Sequence, residues 1–146
     1  MTEEKSEEMK LAEFVTKFIV LQSSLFEDKY GSKRRNEITD DFSLGYMYGA
    51  TDAALQRRDV GEDMQAIATL TMVFGNILGL ERGPKLLGKV LRRLEAHDKE
   101  LGQFVRIGGL NFLEFLNELA GGEKAKLALA LYLFDNEIVE YPTSKP

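Results

Sequence analysis

The chain has 146 residues, 44% of them hydrophobic and 29% charged, with a formal net charge of −5. That is an ordinary soluble composition, long enough for one domain to bury about 68–70% of its unfolded surface. The absence of cysteine excludes a disulfide framework, a thiolate zinc site and a cysteine nucleophile, and the acidic surplus argues against a general nucleic-acid binder. The opening MTEEKSEEMK has no apolar core, so it reads as neither a secretory signal nor a transit peptide, and a cytoplasmic location is expected.

Ser6 is placed to cap a first helix, with Glu7 and Glu8 at the positive end of its dipole. Leu11, Phe14, Val15, Phe18, Leu21 and Leu25 then recur at helical spacing. Residues 28–40 lose that period and carry Gly31, Lys33, Arg34 and Arg35, the text of an exposed connector.

Asp41 to Arg58 predicts a helix with two faces that both call for burial. Leu44, Met47, Tyr48, Thr51 and Leu55 form a core stripe, while Gly45, Gly49 and Ala53 leave a groove where another backbone can come close. Each interior glycine costs roughly 1 kcal/mol against alanine, which close packing would have to offset. Another part of the chain, a second copy of it, or a ligand could fill that groove.

Met64 to Leu80 contains no charged residue across 17 positions. Gln65, Thr69, Thr71, Asn76 and two glycines argue against a membrane span. Met64, Ile67, Leu70, Val73, Phe74, Ile77 and Leu78 wrap most of the circumference, so a central helix surrounded by protein is expected. Its small strip, Ala68, Thr71 and Gly75, is expected to face the groove at Gly45, Gly49 and Ala53.

Gly79 closes that helix and Pro84 opens the next, whose buried side is Leu86, Leu87, Val90, Leu91 and Leu94. The period runs on through Leu101, Phe104 and Val105, with a bend near Gly102, to a break at Gly108 and Gly109. Asn111 with Glu114 resembles a capping box before the short apolar helix of Phe112, Leu113, Phe115, Leu116 and Leu119. Glu123 to Phe134, with its run LALALYLF, predicts a buried helix, and residues 136–146 a loose tail. The expected fold is all-α: one domain over residues 1–146, about six helices, two of them central and largely buried.

No catalytic constellation stands out. The single histidine, His97, belongs to no repeated Glu-x-x-His pair and no HExxH, no serine sits in a G-x-S-x-G elbow, and GLERGPKLLGK lacks the Walker spacing. The 15 residues LRRLEAHDKELGQFV resemble the proximal-histidine helix of globins, a loose motif. The resemblance implies that His97 would be an axial haem ligand and puts the distal position between Gln65 and Ala68, where Gln65 alone could act as a polar distal group. Met47 stands near where that family carries a phenylalanine.

Two other groups are candidates. Tyr46, Tyr48 and Asp52 outline a polar cluster, Tyr48 and Asp52 being four apart on one helix, that is either a structural hydrogen bond or the lining of a small ligand pocket beside Gly45 and Gly49. Lys85, Lys89, Arg92 and Arg93 lie in a stretch, Arg82 to Arg93, with five positive charges and no negative one, suited to an anion or an acidic partner. It lacks aromatic residues for base stacking. The expected function is a non-catalytic interaction or assembly module, a homodimer or a subunit beside another protein, with no cofactor or metal and no membrane partner. The alternative is a small-molecule or cofactor-binding protein using the pocket at Gly45 and Gly49, with haem at His97 as a variant.

Overall fold

A computed structural model describes residues 6–24, 39–57 and 63–121, and these form five helices with no strand among them. They are α1 (Glu7–Ser24), α2 (Asp41–Arg57), α3 (Asp63–Leu78), α4 (Arg82–Glu95) and α5 (Lys99–Leu119). The all-α expectation holds, with five helices where about six were expected. The expected helix over 123–134, the tail and residues 28–38 of the connector lie outside the described residues. None of the described helices is long and apolar enough to cross a membrane.

Local chemistry starts these helices. The Met9 amide donates to Ser6 Oγ at 3.1 Å, closing the cap of α1. Asp40 does the same for α2, accepting from the Ser43 amide at 3.3 Å and from Ser43 Oγ at 2.7 Å. The apolar face of α1, with Leu11, Val15, Phe18 and Ile19, is then buried in a core shared with Leu44, Met47, Phe74, Leu101 and Phe112. Burial of each such side chain contributes roughly 1.5–3 kcal/mol.

α2 and α5 form the tightest seam. A Cβ built on Gly49 would lie 1.7 Å from the Val105 carbonyl oxygen, one on Gly108 would lie 2.2 Å from that of Tyr46, and one on Gly45 would lie 2.6 Å from Phe104 Cβ. Backbone therefore meets backbone, with glycines supplied from both sides. This corrects two expectations. The groove of α2 is filled by α5 and not by the strip on α3, and Gly108 and Gly109 do not break a helix but let one pass close to α2. Asn111, read as a cap, is a buried residue in the middle of α5.

The real break comes earlier, at Ala96, His97 and Asp98. Here α4 ends, His97 adopts the left-handed region at φ 59°, and Asp98 accepts from the Leu101 amide at 3.0 Å to cap α5. Leu94 and Leu101 are seven apart, nearly two whole turns, so the apolar phase survives the interruption and hides it.

α3 also departs from expectation. Leu70, Val73, Phe74 and Ile77 are buried, but Met64 is 84% exposed and Ile67 45%. Protein covers one side of this helix and not all of it.

Candidate docking surfaces

The α2–α5 seam leaves no room for a ligand at its glycines. Gly45 lies beneath Phe104 and Leu101, and Gly49 against the backbone of Val105 and Gly109. Along the outer edge of the seam, Gly49, Asp52 and Gln56 face Arg106, Gly109 and Leu110 across a shallow depression of about 270 Å³. Of the four residues expected to line a pocket, Gly49 and Asp52 border this depression, while Gly45 is buried and Tyr48 half-buried. Burial raises the pKa of the Tyr48 hydroxyl, and the Asp52 charge adds to the effect. Burial also raises that of Asp52, opposed by Gln56 Nε2 donating to its carboxylate at 2.8 Å.

The cationic stretch divides in two. Lys85, Lys89 and Arg92 are exposed on one side of α4 and make no ion pair among the described residues. Arg93 turns inward: Nη1 donates to Asp41 Oδ1 at 2.6 Å, while Nε and Nη2 donate to Asp98 Oδ2 at 2.9 and 2.7 Å. It ties the end of α4 to the first turn of α2 and to the cap of α5. Those hydrogen bonds push the Arg93 pKa further up, and the Leu101 amide, then Arg93, hold the Asp98 carboxyl below the usual range.

His97, the expected haem ligand of the globin resemblance, is exposed in the α4–α5 turn, and the helix expected to carry it stops at Glu95. No cluster of three or more His, Asp or Glu side chains among the described residues could hold a metal ion.

Two features were not anticipated. Gln22, Tyr46 and Asn111, from three different helices, form a buried polar knot: Gln22 Nε2 donates to the Tyr46 hydroxyl at 3.0 Å, and that hydroxyl donates to Asn111 Oδ1. The sequence grouped Tyr46 with Tyr48 and Asp52, but its hydroxyl is held by Gln22 and Asn111, which are 24 and 65 positions away. A groove of about 430 Å³ also lies between α1 and the end of α5, floored by Phe14, Phe18, Leu21, Phe115 and Leu119 and edged by Lys10, Glu13 and Lys17.

Comparisons with protein families, with curated proteins and with solved structures find no match.

The solvent side of α3 is a further candidate surface. Met64, Ala68 and Thr71 follow one another along it, flanked by Ile67 and Met72 and closed by Leu80, which folds back to 3.6 Å from the Cβ position of Gly75. Leu80 is 86% exposed. No charge interrupts this face in a chain that is 29% charged. Apolar side chains around a helix were read as burial within the same chain, but the same pattern suits burial against another molecule, and only the packing separates the two.

Proposed function

We propose that the protein is a non-catalytic assembly module that associates with itself through the solvent side of α3. One observation carries this reading: the longest uncharged stretch of the chain forms a helix whose outer face, with Met64, Ile67 and Ala68, is open to water. A contiguous apolar face on an otherwise charged surface marks an interaction site.

Sedimentation equilibrium over a range of concentrations tests the reading. The intact chain is expected to self-associate in the micromolar range. Ala68→Glu, which sets like charges across the contact, should weaken association at least ~10-fold, about 1.4 kcal/mol, with an unchanged helical circular-dichroism spectrum. A monomer at several hundred micromolar would refute it.

The groove between α1 and α5 supports a second reading, the binding of an apolar small molecule. Its size lies in the usual ligand range of ≈ 300–1,000 Å³ and its floor is aromatic. The site differs from the one expected at Gly45 and Gly49. Saturable binding of a fluorescent apolar probe, abolished by Phe115→Asp, would favour it.

A further inference from the structure

α1 and α5 approach each other through phenylalanine rings: Phe14 and Phe18 meet Phe112 and Phe115 with centroids 4.9–6.4 Å apart. Those rings floor the groove of about 430 Å³, along which Leu21 and Leu119 stand exposed. On α1 the groove runs from Lys10 to Leu21, a length of about 16 Å at 1.5 Å per residue. The two helices run in opposite directions beside it, because Leu116 lies by Leu11 and Phe14 while Asn111 is joined through Tyr46 to Gln22. The groove therefore opens where α5 ends and leads back along it.

The chain that follows matches this groove in reach, length and chemistry. Gly121 adopts the left-handed region at φ 94°, the conformation that turns a chain out of a helix. Only Ala120, Gly121 and Gly122 separate Leu119 from Glu123, and a connection of about 2–5 residues joins neighbouring antiparallel helices. A helix over Glu123 to Phe134, as the sequence predicts, would be antiparallel to α5 and so parallel to α1, and it would span about 16 Å, the length of the groove. Leu127, Leu131 and Phe134 recur at i, i+4 and i+7, an apolar stripe suited to an aromatic floor. Counted from the end where α5 stops, Glu123 falls level with Lys10 and Lys126 with Glu13, opposite charges in both cases. The other exposed side of α5, at Leu110 and Leu113, borders a depression edged by Asp52, Gln56 and Arg106 that offers no aromatic ring.

We infer that residues 123–134 fold back as a helix into the groove between α1 and α5 and cover Leu21, Phe115 and Leu119. The groove is then a closed site within one copy of the chain, and an apolar molecule reaches its floor only by displacing the segment. The inference is independent of self-association through α3, and it sets a condition on the small-molecule reading.

The chain's lack of cysteine makes the test direct. In the full-length chain, Lys17→Cys is combined with Ala130→Cys, and separately Leu21→Cys with Phe134→Cys; each pair is 113 positions apart and level in the inferred packing. A disulfide needs Cα atoms within about 7 Å, so mild oxidation is expected to bridge both pairs within one copy, read as a faster-migrating monomer. Lys10→Cys with Phe134→Cys, at opposite ends of the groove and about 16 Å apart, should stay open. If instead Leu113→Cys with Ala130→Cys closes and the first two pairs do not, the segment lies on the α2 side of α5 and the inference falls. It falls equally if no pair closes, or if bridges form only between copies.

Leu131→Asp gives a reading without cysteine. A carboxylate on the apolar stripe expels the segment, and the groove's apparent affinity is no longer reduced by the closed fraction. Binding of the fluorescent apolar probe should then tighten at least ~10-fold over the parent, and Phe115→Asp in the same chain should remove it. Equal binding by the parent and Leu131→Asp would show an open groove, which overturns the inference and leaves the small-molecule reading standing. Bridges in both level pairs with no probe binding by either chain would do the reverse.

Discussion

Gly49→Ala is the sharpest probe of the seam between α2 and α5. The added methyl would lie 1.7 Å from the Val105 carbonyl oxygen, half of the ≈ 3.3–3.6 Å that a carbon and a carbonyl oxygen keep in close contacts. No rotamer change relieves that overlap, because the obstacle is backbone. The helices must part by roughly 1.5 Å, and even a 0.5–1 Å gap forfeits a quarter to a half of each dispersion contact. Alanine brings an intrinsic helical gain of about 1 kcal/mol in the other direction. Overpacking costs typically 1–3 kcal/mol, and a clash with backbone puts this site at the upper end, so after the helical gain a net loss of about 2 kcal/mol is expected.

Gly102→Ala is the internal control. It lies on α5, the other helix of the same seam, with nothing within 4 Å of its Cβ position, and should be neutral or stabilising by up to ~1 kcal/mol. Urea unfolding of both variants and the parent reads the difference as a shift of midpoint at constant slope. If Gly49→Ala falls within ~0.5 kcal/mol of Gly102→Ala, the backbone contact does not exist and the fold described here is wrong at its centre.

Tyr46→Phe removes the hydroxyl that joins Gln22 to Asn111 in the core and should cost ~1–3 kcal/mol of unfolding free energy; a loss too small to measure would show that the two amides re-pair without it. His97→Gly relieves the left-handed residue of the α4–α5 turn and should stabilise the fold by about 0.5–1 kcal/mol after the greater unfolded freedom of glycine, read as a higher thermal midpoint; a lower midpoint would assign the imidazole a stabilising contact. For Asp52, burial raises the folded pKa above the unfolded value, so the folded state binds its proton more tightly and this group disfavours folding once pH exceeds the ordinary aspartate range. Asp52→Asn should therefore be more stable than the parent at pH 7, with the advantage shrinking as pH falls through the raised folded value towards 3.8 and gone below it. An advantage that stays constant with pH would remove ionisation as its cause.

Where a period was continuous and its ends carried caps, the residues alone were sufficient. Ser6 and the stripe from Leu11 to Leu21 define α1, and α2 was legible down to its two faces. Ambiguity entered with residues that have two physical uses. Gly108 and Gly109 can end a helix or admit a neighbour, and the difference lies in whether Tyr46 of α2 arrives opposite them. Leu94 and Leu101 keep one phase across a turn that is broken by the left-handed His97 and the cap of Asp98. Arg93 carries the same charge as Arg92, yet Asp41, which holds it inward, is 52 positions away.

By itself, then, the amino-acid sequence determined that the chain is helical, that α2 demands a close neighbour and that the side of α3 turned to the core carries no charge. These follow from local period, from the cost of glycine and from the cost of burying an ion. Tertiary structure alone decided which helix fills the groove and which side of α3 is left to water. Those choices depend on the relative fit of surfaces far apart in the chain, and fit is a property of pairs that no single segment contains.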